Sequence, residues 1–133
     1  MAGILPNEGE TLIANLLFKN ADVDRGTNID LILFTNTTIS ETTTAATLTE
    51  PTGGGYARKT LTDASWSVTA DTASYAKQTF TITTTNYSAA VYGYALLSKG
   101  TTPRILQIEL DSNGPYSFMV GEAYDITPSI VIV

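Results

Sequence analysis

Apolar positions first recur at helical spacing. Leu12, Ile13, Leu16 and Leu17 fall on one stripe within residues 7–20. Asn7-Glu8-Gly9-Glu10 has the form of an N-cap followed three residues later by Glu, with acids in the first turn where the helix dipole favours them. Lys19-Asn20 supply a plausible stop. A helix of about 13 residues is marginal alone in water, so this one is expected to dock its leucines on the end of a sheet.

From residue 28 the period changes to two. Ile29–Thr35 reads as a strand, with Ile29, Leu31 and Leu33 on one side, Asp30, Ile32 and Phe34 on the other, and enough apolar character to be central. Residues 37–55 are Thr-rich and close on Pro51-Thr-Gly-Gly-Gly55; they predict a long functional or mobile loop. Strands are then predicted over Tyr56–Leu61, Ser65–Ala70, Tyr75–Thr84, Ala90–Ser98, Arg104–Leu110, Tyr116–Val120 and Tyr124–Val133, with Asp111-Ser-Asn-Gly-Pro115 as a strong turn. The final run, Ile126-Thr-Pro-Ser-Ile-Val-Ile-Val133, is either buried in the fold or covered by another subunit, and Pro128 favours an edge position. About eight short strands at this spacing, with no repeat and no composition shift, predict one domain over 1–133. The expected fold is all-β, a jelly-roll-like antiparallel β-sandwich with one short N-terminal helix.

Composition sharpens that picture. Thr occurs 23 times in 133 residues, and its β-branch suits a pleated, half-wet surface. There is neither Cys nor His, which removes thiol nucleophiles, disulfides and the side chain that most often moves protons or binds metals near neutral pH. Thirteen acids against seven Lys and Arg give a net charge of −6; the bases stand singly apart from Arg58-Lys59, so nucleic acid is not an expected partner. The opening residues carry no basic region and no long apolar run, so neither a secretory signal nor a membrane partner is expected. The chain is expected to be made in the cytoplasm and to need no cofactor.

Candidate chemistry is sparse. Asp22, Asp24, Asn28 and Asp30 offer the oxygen ligands Ca²⁺ takes, but Gly26 sits one place early for an EF-hand and Leu33 occupies the twelfth position, so an ordinary polar loop is expected. The carboxylate pairs Asp22/Asp24, Glu109/Asp111 and Glu122/Asp125 are the acid–base groups available for glycoside hydrolysis, yet each lies in or beside a turn where acids are common. Ser98 and Lys99 are adjacent on a strand and point to opposite faces, which disfavours a dyad. Gly53-Gly54-Gly55 lacks the Lys-Ser/Thr of a phosphate loop and reads as a turn; Asn36 and Asn86 match the glycosylation pattern by chance in a Thr-rich chain. Tyr87, Tyr92 and Tyr94 group around one turn and strand, and serve as a sugar-stacking platform or as packing and subunit contact. Tyr56 and Arg58 anchor a subunit contact, or Tyr56 packs and Arg58 caps it.

Gly54-Gly55-Tyr56-Ala57-Arg58-Lys59-Thr60-Leu61 with the following Trp66 resembles a segment of small virion proteins of tailed bacteriophages. Other pieces resemble the same proteins in order along the chain: the Asn-Glu-Gly helix, Leu33-Phe34-Thr35-Asn36, Leu48-Thr49-Glu50-Pro51, Val91-Tyr92-Gly93-Tyr94 and Ile126-Thr127-Pro128-Ser129-Ile130. The resemblance implies a non-enzymatic structural protein of the virion. The expectation drawn from it is a head decoration, or cement, protein that stabilises an assembled capsid by binding the major capsid protein. It would act as a homo-oligomer, with a trimer favoured. Tyr56, Arg58, Tyr92, Tyr94, Ile130 and Val131 are the expected interface residues, and the 37–55 loop and the C-terminal strand the segments expected to touch neighbours. The alternative is a tail or receptor-binding appendage that contacts host surface polysaccharide.

Overall fold

Strand β1 (Ile29–Phe34) is apolar at five of its six positions because both its faces are covered. It lies inside a four-stranded antiparallel sheet in the order β2-β1-β6-β7, where β2 is Lys59–Leu61, β6 Gly93–Ser98 and β7 Ile105–Leu110. Ile29, Leu31 and Leu33 point to one core with Leu61, Leu96, Phe80, Ile82, Tyr87 and Phe118. Ile32 and Phe34 point the other way, to a second core with Ala95, Leu97, Ile105 and Ile108. The structure, a computed structural model, describes residues 3–21 and 24–132.

The helix α1 spans Asn7–Phe18 and packs on β7. Gly9 permits the approach, since a Cβ there would collide with the carbonyl oxygen of Ile105. The expected capping box does not form. Pro6 is the N-cap residue, no side chain caps the helix, and the Asn7 amide bonds the Glu41 carbonyl oxygen instead (2.9 Å). Leu12 is buried and Leu16 packs on the first core, but Leu17 is 74% exposed, so the expected stripe docks over only part of its length.

Two smaller antiparallel sheets complete the chain. One has the order β3-β4-β9, where β3 is Ser67–Thr69, β4 Thr72–Ser74 and β9 Ser129–Val131; the other pairs β5 (Gln78–Thr81) with β8 (Ala123–Ile126). The fold is thus all-β with one helix and three open antiparallel sheets. It departs from expectation in strand count and boundaries. Among the described residues nine short strands replace about eight: β4 lies between the strands predicted over 65–70 and 75–84, and Pro128, which lacks an amide hydrogen, splits the final run into β8 and β9. The expected strand at 116–120 is reduced to a single bridge between Tyr116 and Val91. Residues 37–55 form no strand and hold one short 3₁₀ turn, Ala45–Thr47. Their apolar members Ile39, Ala45 and Leu48 close over the second core, and Thr35, Asn36, Thr47 and Thr49 knit the segment to the end of β1.

Candidate functional site

Tyr56 lies in a polar cluster at the margin of the four-stranded sheet. Its hydroxyl accepts the Leu33 amide hydrogen (3.0 Å) and donates to Glu50 Oε1 (2.7 Å). Arg58 forks onto the same carboxylate, with Nη2 at 2.8 Å from Oε2 and Nε at 3.1 Å from Oε1. Its Nη1 lies 3.6 Å from Asp30 Oδ2, and Asp30 Oδ1 takes bonds from Lys99 Nζ (3.0 Å) and Thr60 Oγ1 (3.2 Å). The buried Asp30 is thereby held by two cations that adjoin the strands on either side of it, Arg58 just before β2 and Lys99 just after β6. Burial, first, and the neighbouring Glu50 push the Tyr56 phenol above its ordinary range. Tyr56 packs, stacking on Phe80 at 5.9 Å, and Arg58 stays half exposed while its guanidinium is held by Glu50.

A second cluster joins the helix to the sheet. Glu8 Oε1 accepts amide hydrogens from Ala45 (2.9 Å) and Ile105 (2.7 Å). Arg104 reaches Glu8 Oε2 at 3.7 Å and Asp24 Oδ2 at 3.0 Å, and Asp24 Oδ1 also accepts from the Thr102 amide (3.2 Å). These groups border a cleft of about 490 Å³ between α1 and residues 41–44. Of its charged groups, Glu8, Asp24 and Arg104 are engaged with one another, and Glu41 also lines the cleft.

The loop that offered Ca²⁺ ligands does not bring them together. Asp24 is committed to Arg104 and Asp30 to Lys99 and Arg58, while the Asn28 side chain accepts the Asp63 amide hydrogen at 3.0 Å. Asp22 lies outside the described residues. Among the described residues no three acids are grouped to hold a metal ion, and no helix is long and apolar enough to cross a membrane.

Of the carboxylate pairs, Glu109, Asp111 and Asp125 do converge, on a cleft of about 300 Å³ that also takes in Tyr94, Tyr124, Ser112, Thr127 and Ser129. Tyr94 donates to Glu109 at 3.0 Å and Tyr124 to Asp111 at 2.6 Å. Burial, then the adjacent carboxylate, raises both phenols. Thr79 and Lys77 beside Asp125 lower its carboxyl, so this group stays ionised at neutral pH. Glu122 is elsewhere, accepting the Met119 amide hydrogen. The carboxyl oxygens of this cleft can accept hydrogen bonds from hydroxyl or ammonium groups.

Tyr87, Tyr92 and Tyr94 do not make one aromatic platform. Tyr87 is buried in an aromatic chain running from Phe80 through Tyr56 and Tyr87 to Phe118, with neighbouring centroids 5.8–5.9 Å apart. Tyr92 packs toward the second core and Tyr94 toward the first, as alternation along an extended chain requires. Asn36 and Asn86 both spend their side-chain oxygens on backbone amides.

The remaining interface candidates lie on the β3-β4-β9 sheet. Ile130 turns inward onto the first core, whereas Val131 is 51% exposed. Val68 on β3, 72% exposed, went unnoticed in the sequence, an isolated apolar residue between Ser and Thr that nothing local marks as outward; Ile132, 53% exposed, lies in the C-terminal run expected to be either buried or covered by another subunit. Comparison of the chain with protein-family models, with curated proteins and with solved structures finds no match.

Proposed function

We propose that the chain is a non-enzymatic structural protein of a tailed-phage virion, a decoration protein that holds the assembled head together by contact with the major capsid protein and with copies of itself. The observation that carries this reading is the uncharged edge strand β9, where Val131 and the following Ile132 are exposed within a run, 127–132, that carries no charge on an acidic molecule. An exposed apolar edge of this kind suits association with protein. A jelly-roll-like sandwich belongs to the same proposal, with the four-stranded sheet as one layer and the two smaller sheets as the other; the aromatic chain between them supports it. A ligand of the assembled lattice that ignores loose subunits stabilises the lattice by mass action. The test is addition of the purified chain to emptied, expanded heads of the phage that encodes it, without glycan. Saturable binding that raises the disruption temperature of the heads is expected; absence of binding overturns the proposal.

A second reading, a tail or receptor-binding appendage, is favoured by the cleft at Tyr94 and Tyr124. Its carboxylates can accept sugar hydroxyls, and its tyrosines supply flanking rings. Titration with host surface polysaccharide separates the two readings: glycan binding in the cleft with no binding to heads supports the appendage.

A further inference from the structure

Every sheet in this fold has edges, and most are guarded. In the four-stranded sheet β2 carries Lys59 beside Arg58, and the outer side of β7 is covered where Ile4 and Ile108 exchange backbone hydrogen bonds of 2.7 and 2.9 Å. The β5-β8 pair bears Lys77 and Asp125. The β3-β4-β9 sheet has no such protection: Ser67-Val68-Thr69 and Ser129-Ile130-Val131 carry no charge, nor does any residue from Thr127 to Ile132.

The ladder fixes which backbone groups of β9 are spare. Tyr75 donates to the Pro128 carbonyl (2.9 Å) and Ile132 to that of Asp71 (2.8 Å), in a register that sets Ala73 opposite Ile130. In an antiparallel pair the bonded positions alternate, so Ile130 faces β4 with both its backbone groups. Ser129 and Val131 then direct their N–H and C=O groups away from β4, to the open edge. The same alternation leaves only Val68 outward on β3.

We propose that β9 pairs antiparallel with β9 of a second copy of this chain, about a two-fold axis at Ile130. Ser129 of each copy lies opposite Val131 of the other, and the two pairs exchange four backbone hydrogen bonds. Ile130 meets its own counterpart on the core side, and Ile132 reaches over the other copy's Pro128. A second copy is the occupant because the spare groups are self-complementary in this register. The pairing residues 127–132 carry no charge of their own, although Ser129 shares the lining of the Tyr94–Tyr124 cleft with Glu109, Asp111 and Asp125. Self-pairing through β3 would make two such bonds, which decides between the edges. The result is one continuous six-stranded sheet, and it replaces the three-fold symmetry expected from sequence. The inference deepens only the self-association part of the proposed function, and it stands or falls apart from the virion.

Sedimentation velocity on the full chain at about 100 µM tests it, with Val131→Lys, Val68→Lys and the wild type side by side. The Val131 amide points outward, so the lysine leaves the β4 ladder intact, and an unchanged far-UV spectrum and melting temperature establish that the variant folds. Twice the chain mass of 14.2 kDa is expected for the wild type and for Val68→Lys, and the single mass for Val131→Lys. Slowed hydrogen exchange at the Ser129 amide is expected in the wild type and is lost in Val131→Lys. A monomeric wild type, a trimer or polymer, or a dimer that survives Val131→Lys would each overturn it. Should Val131→Lys fail to fold, exchange at Ser129 in the wild type decides alone: fast exchange contradicts the pairing. Head binding measured separately reports on the virion reading, whichever mass is found.

Discussion

Glu8 and Ile105 are joined by a 2.7 Å hydrogen bond across 97 positions of sequence, from the β7 amide to a carboxylate in the first turn of the helix. The same carboxylate oxygen holds the Ala45 amide, so one side chain fastens α1, β7 and the long loop together. Glu8→Ala strands two backbone donors and frees Arg104 from one of its two acids. A loss of about 2–3 kcal/mol is expected, with roughly half that for Glu8→Gln. At roughly 3–5 °C per kcal/mol for a domain of this size, thermal unfolding followed by circular dichroism reads the difference directly.

Tyr56→Phe removes the hydroxyl that bridges the Leu33 amide and Glu50 while keeping the ring on Phe80. The expected loss is about 1–3 kcal/mol, the cost of a stranded donor in a part-buried place. Denaturant unfolding should show a lower midpoint with an unchanged slope, since the surface exposed on unfolding is the same.

Gly54 has φ +61°, and a Cβ there would lie 2.5 Å from the Tyr87 ring, inside the aromatic chain. Gly54→Ala therefore combines left-handed backbone strain with a steric clash, and about 2–4 kcal/mol of destabilisation is expected. Gly114 has no positive φ and ordinary neighbours at 3.4–3.6 Å; Gly114→Ala, measured in the same unfolding assay, should cost less than about 1 kcal/mol.

Alkali should unfold the protein. Tyr56, Tyr94 and Tyr124 have their phenol pKa values raised by burial and by adjacent carboxylates, whereas hydrogen bonds from Thr62 lower that of Tyr75. A raised phenol holds its proton longer in the folded than in the unfolded state. Its contribution is complete below the unfolded value near 10 and is lost as pH climbs toward the folded one. Titration of phenolate absorbance should show Tyr75 ionising early and reversibly. The three part-buried phenols with raised values should follow in one cooperative step that coincides with loss of the far-UV signal. Seven independent, superimposed titrations would contradict this.

The central sheet was legible because its strands are long enough for burial to imprint a pattern. Ile29–Phe34 and Ile105–Leu110 are six-residue runs between two cores, and the single helix announces itself through Leu12 and Leu16. β3 falls inside the strand predicted over Ser65–Ala70, whereas β4 was not legible, being three residues, Thr72–Ser74, whose pairing depends on a partner far away in the chain. The loop 37–55 reads as loose polar chain, yet its few apolar residues cover a core built from strands of the central sheet. At the candidate site, Asp30 was singled out for Ca²⁺ on local spacing, but its partners Lys99 and Arg58 adjoin other strands, and pairing at that distance in sequence leaves no local trace. Val131 was named from its apolar run; its outward direction follows from a ladder register that the sequence does not state.

The most direct measurement is a reconstruction, by electron cryomicroscopy, of the particle of the phage that encodes this chain, at a resolution that traces strands. The account predicts density for the α1 helix and the four-stranded sheet on the outer face of the head, repeated at symmetric lattice positions and touching the major capsid protein. Heads bare of the chain, or its density confined to the tail, would contradict the account.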